Sequence, residues 1–214
     1  MSNRVYLYCT NFQSLPKPDE WETFFKQSGV EYEANACIPI FWLCMFSAAD
    51  VRIVPSDHNG FDDDWHPYAY LFCSRELGIE RLRTRAPMMK DALGDLRFSL
   101  YTEWLARMEN EPYENILVRT EELDWMGEDG ELEKTLRKAM QHLEKVCAEG
   151  SMRMSNAMND IAGLWSQEIL NECESSELVG SANTSPSWPL PFVPRPIRST
   201  DTPHEKKPWW AFWR

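Results

Sequence analysis

Between Ala36 and Ala49 the chain reads Ala-Cys-Ile-Pro-Ile-Phe-Trp-Leu-Cys-Met-Phe-Ser-Ala-Ala, and no residue from Cys37 to Phe46 carries a charge. A segment apolar all round has no face to offer water, so other elements must enclose it. It is too short to cross a bilayer, which takes about 20 apolar residues. The pattern predicts a buried central helix over 38–48, with Pro39 near the first turn, where a missing N–H costs least. Around it, alternation in Arg4–Thr10 predicts a strand inside a sheet, with Val5, Leu7 and Cys9 on one face and Tyr6 and Tyr8 on the other. Further strands are expected over 51–54, 68–73 and 115–120. A short helix over 20–27 would present Trp21, Phe24 and Phe25, with Asp19 as its cap and Gly29 as its stop.

Three longer segments carry the helical repeat. Met89, Leu93, Leu96, Leu100, Trp104 and Met108 mark a helix opened by Pro87 and running to about Asn110. Leu132, Leu136, Met140, Leu143 and Cys147 mark a second over 131–149, with acids in its first turn. Met154, Met158, Ile161, Trp165 and Ile169 mark a third over 151–173. Together these predict one α+β domain over 1–174. It would be a small, mostly antiparallel sheet of about four strands, covered by the central helix and three long amphipathic helices. From residue 175 the composition changes. Residues 183–214 hold seven of the fourteen prolines, and Trp209, Trp210, Phe212 and Trp213 crowd the last six positions. Residues 175–214 therefore read as an extended Pro- and Trp-rich tail that wraps the body or docks on a partner. So short an aromatic stretch is not expected to anchor stably in a membrane.

Charge narrows the partners. Residues 1–176 hold 31 acidic and 17 basic residues, whereas 177–214 hold 3 and 5, for an overall net charge of −12. An acidic body repels phosphate backbones, so nucleic acid is not an expected partner; solubility and a basic protein partner both suit it. Cysteines at 9, 37, 44, 73, 147 and 173 form no C-x-x-C pair, which points to reduced, buried thiols. The opening residues hold no apolar signal core, so a cytoplasmic location is expected.

Candidate chemistry is sparse. The loop Asp57–His66 gathers His58, Asp62, Asp63, Asp64 and His66, but it lacks the alternating ligands and closing Glu of a calcium loop. A solvated acidic loop is the simpler reading. Glu31 with Glu33, or Glu121 with Glu122, are acid pairs whose proximity in sequence does not establish acid–base geometry. No G-x-S-x-G is present, and no cysteine lies in a polar, basic setting with a paired histidine. His142, beside Gln141 and Glu144, reads as an exposed helix residue. Arg81, Arg83 and Arg85 are expected to pair with the protein's own acids. No catalytic residue, metal or cofactor is expected.

The opening Asn3-Arg-Val-Tyr-Leu-Tyr8 with Thr10-Asn11, followed by Glu33-Ala-Asn-Ala-Cys-Ile-Pro-Ile-Phe-Trp-Leu43, resembles a loosely characterised bacterial family. Its members open Met-x-Asn-Arg-x-Tyr-Leu-Tyr and continue with a Glu…Ile-Pro segment leading into an apolar helix. The resemblance covers roughly the first 55 residues. It implies a cytoplasmic immunity protein that neutralises a cognate polymorphic or contact-delivered toxin by stoichiometric binding. It brings no catalytic residues. For such a role, loop chemistry nominates Asp62, Asp63, Asp64 and Trp65 as partner-binding residues, with Trp209, Trp210 and Trp213 in the tail. Two alternatives stay open: a metal-dependent hydrolase using the 57–66 loop, and an adaptor of a secretion or phage-related assembly docking through its aromatic tail.

Overall fold

A computed structural model describes residues 3–54, 67–150, 156–163, 167–184 and 187–192 of the chain. Its centre is a six-stranded sheet: β1 (Arg4–Thr10), β2 (Tyr32–Asn35), β3 (Val51–Ile53), β4 (Ala69–Ser74), β5 (Asn115–Arg119) and β6 (Ser181–Ala182). The spatial order is β3-β4-β5-β1-β2-β6, and each of these pairings is antiparallel. β1 lies between β5 and β2, as its two-sided hydrophobicity implies. Leu7 stands opposite both Tyr32 and Val118, and Leu71 opposite both Val118 and Val51. Because strand side chains alternate, this register sends Val5, Leu7, Cys9, Tyr32, Ala34, Ile116, Val118, Leu71 and Cys73 into one core.

Helices and the apolar segment 38–46 cover that inner face. They are α1 (Trp21–Lys26), α2 (Ile40–Leu43), α3 (Arg75–Asn110), α4 (Glu121–Asp124), α5 (Glu131–Glu149), α6 (Asn156–Ala162), α7 (Gln167–Glu172) and α8 (Ser175–Val179). α1 is the exception and lies on the other face with Tyr8. Ile38 and every residue from Ile40 to Phe46 are wholly buried, so the central position of this segment is as expected. The helix itself is shorter than 38–48. Only α2 is α-helical, and the chain continues in tighter turns, Met45 N–H to Trp42 O and Phe46 N–H to Leu43 O. Arginines from the neighbouring helices explain the early end. Arg85 donates to the carbonyls of Leu43, Cys44 and Phe46, Arg81 to Met45, and Arg137 to Ala48 and Val51. Carbonyls that a longer helix would pair internally are satisfied from the side, as buried backbone must be.

Three helix expectations change. α3 begins at Arg75, twelve residues before Pro87, because Ser74 caps it by accepting the Leu77 N–H at 3.3 Å. The basic run masked a helical stripe of Ile79, Leu82, Ala86 and Met89 that belongs to the core. Gly94, at φ 66 and ψ 172, then breaks the helical path, so α3 is two helices joined at a bend. In place of one helix over 151–173 stand α6 and α7, with Gly163 at φ 67 ending α6. Met158 and Ile161 are buried there, while Met154 and Trp165 lie outside the described residues. α5 runs from Glu131 to Glu149 as its repeat predicts.

The core extends past residue 174. Leu178, Val179, Ala182 and Trp188 all join it, so the segment read as the start of a tail contributes a helix, an edge strand and a buried tryptophan. β2 and β6 had no strand signal assigned to them. Tyr32-Glu-Ala-Asn35 does alternate, and Glu33 conceals the pattern.

Candidate functional site

The outer face of the sheet carries a different chemistry from the inner one. Register places Tyr6 between Glu33 and Arg119, and Leu117 between Tyr8 and Phe72. α1 lies over this face as an aromatic lid. Phe24 meets Tyr8, Phe12 and Trp21 edge-on at 5.1–5.4 Å between ring centroids. The lid is partial, since Phe25 is 51% exposed and Trp21 and Tyr6 are half-buried.

Arg119 sits at the middle of the open part. Its guanidinium lies 5.0 Å from the Trp21 ring and 6.0 Å from the Tyr6 ring, and it grips Glu121 through Nε at 3.1 Å and Nη2. Burial alone would lower its pKa, but the Glu121 carboxylate outweighs burial and the net shift is upward. Nearby, the Tyr8 hydroxyl donates to Glu31, and burial with that carboxylate pushes its pKa well up, so Tyr8 stays a neutral donor. Arg4 pairs with Glu33 at 3.2 Å, and its main-chain N–H meets Glu122 at 2.9 Å. The result is a half-covered surface of tyrosine, tryptophan, phenylalanine and arginine with its charges held in place. Such residue types are enriched where proteins recognise one another.

The sequence-nominated residues fall out as follows. Asp62, Asp63, Asp64 and Trp65, with the rest of the 57–66 loop, and Trp209, Trp210 and Trp213 all lie outside the described residues. Glu31, Glu33, Glu121 and Glu122 each bind a group on the protein itself, and this gives neither pair a free acid–base partnership. His142 is half-buried on α5 rather than exposed. The arginine trio separates. Arg81 pairs with Asp50 at 2.7 Å and Arg83 with Glu109 at 2.7 Å, as expected of internal pairing. Arg85, by contrast, is buried against main-chain carbonyls, because the end of α2 presents unpaired oxygens there. The six cysteines are unpaired, and burial raises the thiol of Cys37 to about 11 and those of Cys44, Cys73 and Cys173 to about 12. Thiols so placed are poor nucleophiles at neutral pH.

Among the described residues no three His, Cys, Asp or Glu side chains gather as a metal site, and no helix is long and apolar enough to cross a membrane. One shallow hollow of about 400 Å³ is lined by Glu103, Ala106, Arg107, Asn110 and Glu111. Trp188 lies beside it, stacked on Trp104 at 5.8 Å, under the Arg107 guanidinium at 4.1 Å and donating to Glu103 at 2.7 Å. This arrangement holds the chain's own strap to α3. No family model, no curated protein and no solved structure matches this chain.

The sequence marked half of the outer face. Tyr6 and Tyr8 alternate with Val5, Leu7 and Cys9, which signals a strand covered on both sides. Arg119 was hidden, because only pairing of β5 with β1 brings it beneath Tyr6 and Trp21, and Glu121 was visible as an acid but not as the partner of Arg119.

Proposed function

We propose that this chain is a protein-binding module that acts by covering its partner, and that the partner is the cognate toxin of an immunity pair. The observation that carries the binding reading is the outer sheet face, where Phe25, Trp21, Tyr6 and Arg119 form a preorganised, half-exposed surface. Aromatic rings and a gripped guanidinium lose little conformational freedom on binding, which is what makes such residues effective anchors. Burial on the other side, by a core that includes Trp42, Trp104 and Tyr101, holds that surface rigid. The resemblance of roughly the first 55 residues to a family of immunity proteins supports the partner class, and the acidic body suits a basic partner.

The test is co-expression with the product of the adjacent reading frame, scored for rescue of growth and for a stable complex on size exclusion. Rescue together with a 1:1 complex is expected. Growth arrest that persists, with the two proteins eluting separately, refutes the immunity reading.

A further inference from the structure

Past Arg119 the chain forms α4 and a turn into α5, and over Glu121–Glu133 it carries seven acids with no lysine or arginine. Most of those acids have work inside the molecule. Glu121 pairs with Arg119, Glu122 accepts the Arg4 N–H, and Asp124 is buried. Glu131 accepts the Glu128 N–H, and Glu133 pairs with Arg137. The first turn of α5 favours negative charge in any case. Trp125 and Met126 are 56% and 43% exposed in the middle of this acidic run. A tryptophan left in water forgoes more apolar burial than almost any other side chain, and tryptophan and methionine are enriched in recognition surfaces.

We propose that Trp125 and Met126 are the anchor of this chain's interface, received by an apolar recess within a basic patch of the partner protein. The inference rests on the binding-module reading and names the surface and the chemistry of its partner. Charge complementarity selects that occupant. Glu128, Asp129 and Glu131 are exposed beside the anchor, and the chain as a whole carries −12. A second copy would set like charges against each other, and nucleic acid or an anionic bilayer would be repelled. A basic protein surface is attracted at a distance and then seats the indole. In the chain, α4 follows directly on the Arg119–Glu121 pair.

The experiment measures affinity between the full chain and the purified product of the adjacent reading frame. Trp125→Ala with Met126→Ala is expected to weaken the complex by about 30-fold or more, the scale of a hot-spot truncation. Glu128→Lys with Asp129→Lys should slow association and flatten its salt dependence. The control reversal, Asp95→Lys with Glu144→Lys, makes the same change of charge at exposed positions on α3 and α5. It should leave affinity within about twofold, because surface charges beyond a Debye length are screened. A urea midpoint matching the parent chain verifies that each variant is folded. If a complex forms and the anchor variants bind as well as the parent, the inference falls while the binding module stands. If the local and control reversals weaken binding equally, the attraction is one of net charge and the inference falls likewise. If no complex forms with any variant or with the parent, both fall together.

Discussion

The two faces of the sheet are built from the same strands and obey opposite rules. On the inner face, Val5, Leu7, Cys9, Ile116, Val118 and Leu71 are closed off by helices, and main-chain carbonyls of the buried segment are met by side-chain donors such as Arg85. On the outer face, Tyr6, Tyr8, Phe72 and Arg119 sit under a six-residue helix that leaves Phe25 and Trp21 partly in water. The inner face is organised for stability, where a lost atom leaves a cavity. The outer face buries Tyr8, Phe24, Phe72 and Leu117 in a second, smaller core and keeps Phe25, Trp21, Tyr6 and a fixed cation at its rim, where they add little to folding and stand ready for recognition. Substitutions should therefore separate folding from binding along the line between the faces.

The largest effect expected is global, because burial raises the pKa of acids on both faces, Tyr8 and Tyr68 on the outer one as well as the inner thiols. Thiols in an unfolded chain ionise near about 8.5, whereas burial raises those of Cys44 and Cys73 to about 12. The unfolded state thus releases its protons first as pH rises. Stability is intact below about 9 and is lost progressively toward 12. Buried Tyr32, pushed up to about 12, acts in the same direction. Urea midpoints recorded across this range should fall steeply, and a flat profile would contradict the enclosure of the inner face.

Next comes Trp42→Ala. Trp42 is wholly buried and donates its indole N–H to the Val179 carbonyl at 2.7 Å. The change opens a cavity and orphans that oxygen, and should cost about 3–5 kcal/mol by urea unfolding. Gly180→Ala presses on the same indole from the other side. A Cβ there would stand 2.5 Å from Trp42 Cζ2, at a φ of 73 that side chains rarely adopt. A loss of about 3 kcal/mol is expected.

Effects on the outer face are smaller for folding. Tyr8→Phe deletes the bond to Glu31 and should cost about 1 kcal/mol. Phe25→Ser, at an exposed position, should change stability by less than about 0.5 kcal/mol, yet weaken the toxin complex measurably by calorimetry. A large loss of stability from Phe25→Ser would mean that Phe25 supports the small core around Phe24 and would erase the distinction between that core and its rim.

What could be read from the chain follows the range of the forces involved. Local periodicity located β1, β4, β5 and α5 closely, because alternation or a 3.6-residue repeat survives in each. The short helix α2 and the early start of α3 depended on partners distant in sequence. Arg85 and Arg81 look like a charged patch until they are seen reaching 36 to 42 residues back to the carbonyls of Leu43, Cys44 and Met45. β2 was obscured because its outward residues include Glu33, whose place beside Arg4 and Tyr6 requires the sheet. On the candidate surface, Trp21 and Phe25 were visible as a stripe, whereas Arg119 gains its meaning only from the pairing of β5 with β1.

Trp188 has a consequence for the life of the chain. It enters the core late in the described chain, stacked on Trp104 and hydrogen-bonded to Glu103, 84 and 85 positions after those residues. A product cut short at Ala182 would leave Trp104 and Tyr32 uncovered and the outermost strand without the bridge between Ala182 and Trp188. Copies cut before Trp188 would carry a greasy scar that chaperones and proteases can recognise, so this one side chain tells a sealed core from an open one.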